Sequence, residues 1–232
     1  MRQQTLTSCR AFVSAQLGPL HKQRKTRPPV VTLSREVGAG GLTIAQAVCA
    51  RLQAHAPPGE APWTAFDKNL VEHILEDHDL PGQLAEFMRE EADPPVSEFL
   101  EEVLGVRPPA WQLFEQTSNT VLKLATMGRC VLVGRGANII TAGMPNAVHV
   151  RLVASVDERV RRMMARDGLD FAAARDLVQR TDRARQRYLR KHFDRDVADP
   201  GLYHAVINTE RVPPHAAAEL IAALVRALHP QA

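Results

Sequence analysis

From Val30 onward the chain alternates short apolar runs with longer stretches whose apolar side chains recur every three or four residues. Val30-Val-Thr-Leu33 is a β-branched run and reads as a strand. Leu42, Ala45, Val48, Cys49 and Leu52 repeat at helical spacing and predict a helix over 42–53. Trp63-Thr-Ala-Phe66 reads as a second strand, ending at Asp67. A polar, acidic helical stretch follows over 68–106, broken at Pro81-Gly82 and Pro94-Pro95. Residues 110–127 form the next helix, with Gly128 placed to turn left-handed after its last turn. Cys130-Val-Leu-Val133 and Ala147 to Val153 read as two further strands. Ser155-Val-Asp-Glu158 is a capping box that starts a helix ending at Gly168. Residues 171–193 read as one long helix, Tyr203 to Ile207 as the last strand, and Pro214 to Leu228 as the last helix.

Strands separated by helices predict an α/β fold, a parallel sheet with helices on both faces. Such sheets bind ligands at the carboxyl ends of their strands. The informative positions are therefore Ser34–Gly41, Asp67, Gly134–Gly136 and Asn208-Thr209.

The chain has 232 residues, enough for one domain with an appendage. At 45% apolar and 24% charged it has the composition of a globular protein. It lacks an apolar run of ~18 residues, so no membrane contact is expected. Three scattered cysteines fit reduced thiols and a cytoplasmic setting better than a disulfide framework. Residues 1–28 hold six basic side chains and no acid, so the overall charge of +3 becomes −3 without them. That segment reads as a solvated basic arm, with a targeting peptide as the alternative. The domain itself is assigned to 29–232. Its negative balance and the 5% aromatic content argue against nucleic acid as a partner. The nine histidines show no zinc spacing. Oligomeric state is left open between monomer and homodimer.

Ser34-Arg-Glu-Val-Gly38-Ala39-Gly40-Gly41 joins the first strand to a helix. Three glycines in four residues let the backbone turn its N–H groups inward. A helix N-terminus behind them completes an anion cradle suited to phosphates. Aligned with G-x-x-x-x-G-K-[ST], Gly40 takes the second glycine, Gly41 the lysine and Leu42 the serine or threonine. Thr43 follows one place later. A cation on a transferring phosphoryl can be worth ~10³–10⁵ in rate. Either another cation supplies it, with Arg35 the nearest, or the protein binds nucleotides without transferring phosphate efficiently.

Gly134-Arg135-Gly136 follows a strand, and the fork of an arginine placed there suits phosphate oxygens. On the long helix Arg180, Arg183, Arg187, Arg190 and Lys191 fall within ~100° of arc. Asp182 and Arg185 lie on a different side. Arginines beside a phosphate loop suggest a lid that closes over phosphates and excludes water.

Taken together, these motifs resemble the cytidylate kinase-like branch of the P-loop nucleoside monophosphate kinases. The stretches that carry the likeness are Ser34–Gly41, Phe66-Asp-Lys68, Val133-Gly-Arg-Gly136, Val150–Arg159, and Asp182-Arg-Ala-Arg185 continuing to Tyr188. Asp199-Pro200 and Tyr203–Thr209 complete it. The resemblance implies a P-loop NTPase-type five-stranded parallel sheet flanked by helices, with a helical nucleotide-binding insertion and an arginine-rich lid. It implies an ATP- and Mg²⁺-dependent kinase acting on CMP or dCMP. Residues Gly38, Ala39, Gly40, Gly41 and Thr43 would hold ATP, with Thr43 also toward Mg²⁺. Asp67, Arg135, Asp182 and Arg185 would bind the acceptor nucleotide. Arg35, Arg183 and Arg187 would supply the cations that the missing lysine does not. The sequence departs from the family pattern at Gly41, at Gly136 in place of the aspartate of Gly-Arg-Asp, and at Gln179 in place of an acid. A catalytically weak regulatory protein of the same fold is the alternative reading.

Overall fold

The computed structural model describes residues 27–67 and 109–230. The helical stretch expected over 68–106, and with it the nucleotide-binding insertion, lies outside the described residues, as does most of the basic arm. Five strands form one sheet: β1 (Val30–Arg35), β2 (Thr64–Phe66), β3 (Cys130–Val133), β4 (Ala147–Val153) and β5 (Ala205–Asn208). Their order is β2-β3-β1-β4-β5, and every neighbouring pair is parallel. Among the described residues six helices accompany them: α1 (Gly41–Gln53), α2 (Pro109–Met127), α3 (Ala137–Ile140), α4 (Val156–Asp167), α5 (Phe171–Phe193) and α6 (Pro214–Leu228).

Element types match the sequence pattern, and the differences have local causes. β1 runs two residues past its apolar stretch because Ser34 and Arg35 pair with Arg151 and Leu152 of the longer β4. The last strand starts at Ala205, not Tyr203. Asp199 caps a 3₁₀ turn over Pro200–Leu202 by accepting from the Gly201 N–H at 2.8 Å, and Tyr203 ends that turn. The capping box is half formed. Ser155 Oγ accepts from the Glu158 N–H at 3.3 Å, but the Ser155 N–H donates to Glu210, and Glu158 pairs with Arg161 and Arg162 instead.

The sheet's two faces differ in a way that positions the site. Val31, Leu33, Val148, Val150 and Leu152 point to one side, into a core closed by α1 and α6. Val30, Cys130, Leu132, Ala147 and Phe66 point to the other, against α2. By strand alternation Thr32, Ser34, His149 and Arg151 share this second face. It therefore turns polar toward the carboxyl ends of the strands. A third, smaller cluster joins α4 to α5 through Val160, Met163, Ala174 and Val178, and Val37 of the loop after β1 packs against it.

Candidate active site

Gly38 and Gly40 both have φ +79, a left-handed conformation that favours glycine. Gly40 caps α1 without any side-chain hydrogen bond, so the first-turn amides of that helix are not taken up by a cap. The loop's carbonyls are drawn out by arginines from three directions. Arg185 Nη1 donates to the Arg35 carbonyl at 3.2 Å, Arg159 Nη1 to Val37 at 3.3 Å and Arg162 Nη1 to Gly38 at 3.4 Å. In a trans peptide the following N–H points the opposite way, so fixing the Val37 carbonyl aims the Gly38 amide away from Arg159. Gly38 also needs to be glycine for space: a Cβ there would stand 2.8 Å from the Arg159 carbonyl oxygen.

Arg35 leaves the end of β1 and lies along the loop. A Cβ at Gly41 would stand 3.0 Å from its Cγ, and one at Gly134 would overlap its guanidinium. The side chain thus runs from Gly41 to the turn after β3. Burial lowers its pKa to about 10, with Arg185 and Arg135 adding to the shift and Asp67 and Asp182 opposing it. It remains a cation at neutral pH, partly desolvated and crowded by like charge. Such a group is poised to receive an anion.

Gly134, Arg135 and Gly136 have φ of 89°, 57° and 70°. The two glycines take this readily, whereas at Arg135 a left-handed backbone costs ~1–2 kcal/mol. Strain of this kind is a mark of functional sites. Gly136 caps α3, and the Phe193 ring fills the space of any side chain at 136, with Cε2 2.5 Å from where a Cβ would be. Burial raises the pKa of Tyr188 against the opposing charge of Arg135, which puts this ring near the same turn.

On α5, Ala174, Val178, Asp182, Arg185 and Leu189 follow one another at steps of four, four, three and four, and so form one stripe. The apolar members are buried. Where the stripe passes the loop after β1 it becomes charged. Asp182 Oδ1 accepts from the Val37 N–H at 3.0 Å and lies 3.7 Å from Arg185 Nη1, while Oδ2 accepts from Arg159. Burial lowers the pKa of Arg185 against the pull of Asp182.

Arg35, Asp67, Arg135, Asp182 and Arg185 are therefore electrostatic neighbours. Arg183 and Arg187 are not brought among them. Both are exposed on the outer side of α5, where Arg187 lines a shallow groove with Tyr188, Arg190, Lys191 and His192. Thr43 is exposed on the first turn of α1. Among the described residues no group of three or more His, Cys, Asp or Glu side chains could hold a metal by itself, and no helix is long and apolar enough to cross a membrane.

Sequence reasoning missed four side chains that hold the loop: Glu36, Arg151, Arg159 and Arg162. Glu36 Oε2 accepts from the Ala154 N–H at 3.1 Å and lies 3.4 Å from Arg159 Nε, and Oε1 lies 3.7 Å from Arg151 Nη2. Arg151 also reaches Ser34 Oγ at 3.4 Å and lies over the Tyr203 ring at 5.9 Å. Arg162 Nη2 donates to the Thr209 carbonyl at 2.8 Å, tying the segment after β5 to the loop. One signal was present. Arg159 shares the inner face of α4 with Met163, four residues on, and a charge there must find a partner.

Residues 30–211 match the family model described as the Cytidylate kinase-like family. The chain belongs to the cytidylate kinase-like family. A cytidylate kinase of Thermoplasma acidophilum is 34% identical over 77 residues, which span 33% of this chain and 41% of that relative. An uncharacterized protein from Eubacterium ventriosum has a crystal structure similar to this one, with TM-score 0.64 and 20% identity over 87% of this chain and 99% of that one. A shikimate kinase from Bacteroides thetaiotaomicron aligns over 86% of this chain and 97% of its own, at 15% identity and TM-score 0.47. The family match and the parallel β2-β3-β1-β4-β5 sheet make this a P-loop NTPase-type α/β fold.

Proposed function

We propose that this family member is a nucleoside monophosphate kinase that transfers the γ-phosphate of ATP to CMP or dCMP. The observation that carries the reading is Arg35, a partly desolvated cation lying between the lysine position of the phosphate loop and Gly134, with Arg135 and Arg185 nearby. Six arginines (Arg35, Arg135, Arg151, Arg159, Arg162, Arg185) surround the loop against four carboxylates (Glu36, Asp67, Glu158, Asp182). That excess of positive charge calls for an anionic ligand.

The residues present fit ATP phosphates. Gly38, Ala39, Gly40 and Gly41 offer an uncapped helix N-terminus and a backbone from which side chains are excluded at Gly38. They fit Mg²⁺ only as an ion carried by the phosphates, with Thr43 the nearest hydroxyl on α1, which is how Mg²⁺ commonly binds in kinases. When bound, the ion neutralises phosphate charge during transfer.

In this reading Arg35 holds the transferring phosphoryl in place of the missing lysine. Arg135 grips the monophosphate of the acceptor, and Asp67 opens the acceptor segment at the end of β2. Arg183 and Arg187 stand on the outer side of α5 and have no part in this reading. The chain supplies positioning and charge, and no covalent intermediate on the protein is needed. A second reading, a nucleotide-binding regulatory protein, is favoured by Gly41 and Leu42, which lack the lysine and hydroxyl of the usual loop. A coupled assay for CDP formation from CMP and ATP separates the two. Turnover supports the kinase. ATP binding seen as a thermal shift, without transfer to any common nucleoside monophosphate, supports the regulator.

A further inference from the structure

The three parts of Val37 are all held by the α4–α5 hairpin. Its side chain packs on the small apolar cluster between the two helices. Its carbonyl accepts from Arg159 at 3.3 Å, and its N–H donates to Asp182 at 3.0 Å. Arg159 closes the circle, because the same Nη1 that binds the Val37 carbonyl pairs with Asp182 Oδ2. Asp182 is 145 residues from Val37 in the chain, so this contact exists only in the fold. Its carboxylate has two oxygens, and both are engaged by protein. One meets the loop amide and the other meets Arg159, with Arg185 alongside.

We infer that Asp182 is a positioning residue for the phosphate loop, acting through Val37 and Arg159. The inference rests on the kinase reading for its purpose, since the loop it positions is the ATP cradle. By holding the Val37 N–H, Asp182 fixes the peptide between Glu36 and Val37. With the Val37 carbonyl fixed by Arg159, the Gly38 amide has one direction left to it. The hairpin and the loop then move as one body, and displacement of α5 reaches the phosphates through Val37.

The test compares wild type with Asp182→Ala, Asp182→Asn and Val37→Ala, with three readouts. Hydrogen exchange at the Val37 amide reports the latch without any nucleotide. ATP affinity is measured in the absence of acceptor. Steady-state kinetics then give kcat and the KM for CMP separately. Asp182→Ala removes a charge-assisted contact and should weaken ATP ~10–100-fold and lower kcat, while the KM for CMP stays within about twofold. Asp182→Asn keeps an oxygen for the Val37 N–H and should retain much of the exchange protection, rescuing ATP affinity in part. Should Asp182→Ala not fold, Asp182→Asn and Val37→Ala still report. Asn, which loses the charge that pairs with Arg159, should lose more ATP affinity than Val37→Ala, which keeps both backbone hydrogen bonds, with CMP KM unchanged in both. Unchanged Val37 exchange in Asp182→Ala overturns the inference. So does a rise in CMP KM with ATP affinity intact. A wild type whose Val37 amide is protected yet which binds no ATP overturns the kinase reading instead, which separates the two failures.

Discussion

Cγ of Arg35 lies 3.0 Å from the point a Cβ at Gly41 would occupy. The arginine stem and a side chain at the lysine position therefore compete for one space. Gly41 is thus a condition for the placement of Arg35. Restoring lysine by Gly41→Lys should push Arg35 aside and lower kcat, by ~10-fold or more if Arg35 carries the phosphoryl. A kinetic comparison with wild type checks this, and a rise in kcat would show that the lysine had simply been lost.

At Arg135 stability and function should part. Its φ of 57° is costly for a residue with a Cβ and free for glycine. Arg135→Gly should therefore raise Tm, by a few degrees for ~1 kcal/mol in a domain of this size, while raising the KM for CMP ~10–100-fold. Arg135→Ala should show the kinetic loss without the gain in Tm. Thermal melts and acceptor titrations at saturating ATP measure both effects.

The polar side of the sheet makes a pH prediction. Thr32 Oγ1 and His149 Nδ1 lie 2.8 Å apart, and the His204 ring stands 5.1 Å from His149. Burial, with the charge of His204 second, lowers the His149 pKa from 6.5 to about 4. The folded protein keeps this ring neutral, while the unfolded chain takes a proton near pH 6.5. Stability should therefore fall as pH drops from about 6.5 toward 4 and then level, by on the order of 2–3 kcal/mol from this group. His149→Gln should flatten that part of the Tm–pH curve. An equal acid slope in both proteins would assign the effect elsewhere.

Where the basic arm ends is also testable. Pro28 and Pro29 are buried. The Pro28 carbonyl accepts from Asn146 Nδ2 at 2.7 Å, and that of Pro29 from the Arg129 N–H at 2.7 Å. We place the boundary before Arg27, slightly earlier than the charge pattern alone suggests. Deleting residues 1–26 should leave Tm within about 2 °C, whereas deletion through Pro29 should cost at least the ~1–3 kcal/mol of the buried Arg129 N–H left without the Pro29 carbonyl. Differential scanning calorimetry of the two truncations decides it.

Much of the fold was legible because its strands are apolar runs and its helices keep a clean period. The glycines after β1 and around Arg135 were legible for a related reason, since backbone turns announce themselves locally. The clamp around the loop was not. Glu36, Arg151 and Arg159 meet across more than 100 residues of sequence, and nothing in Ala147–Val153 says which of its alternate residues faces a polar site. The exposed arginines of α5 form the more conspicuous pattern. Yet the face that meets the loop is the one that continues Ala174 and Val178 into Asp182 and Arg185.

The most direct measurement is the single-turnover and steady-state rate of phosphoryl transfer from ATP to CMP by wild type and Arg35→Ala, with ATP affinity measured alongside. A cation that acts chiefly on the transition state should cost ~10²-fold or more in kcat when removed, equivalent to about 2.7 kcal/mol, with ATP binding changed little. Wild-type turnover together with that loss is the result expected. A wild type that binds ATP and transfers nothing, or an Arg35→Ala variant with the wild-type kcat, would contradict the assignment of Arg35 to the lysine's place.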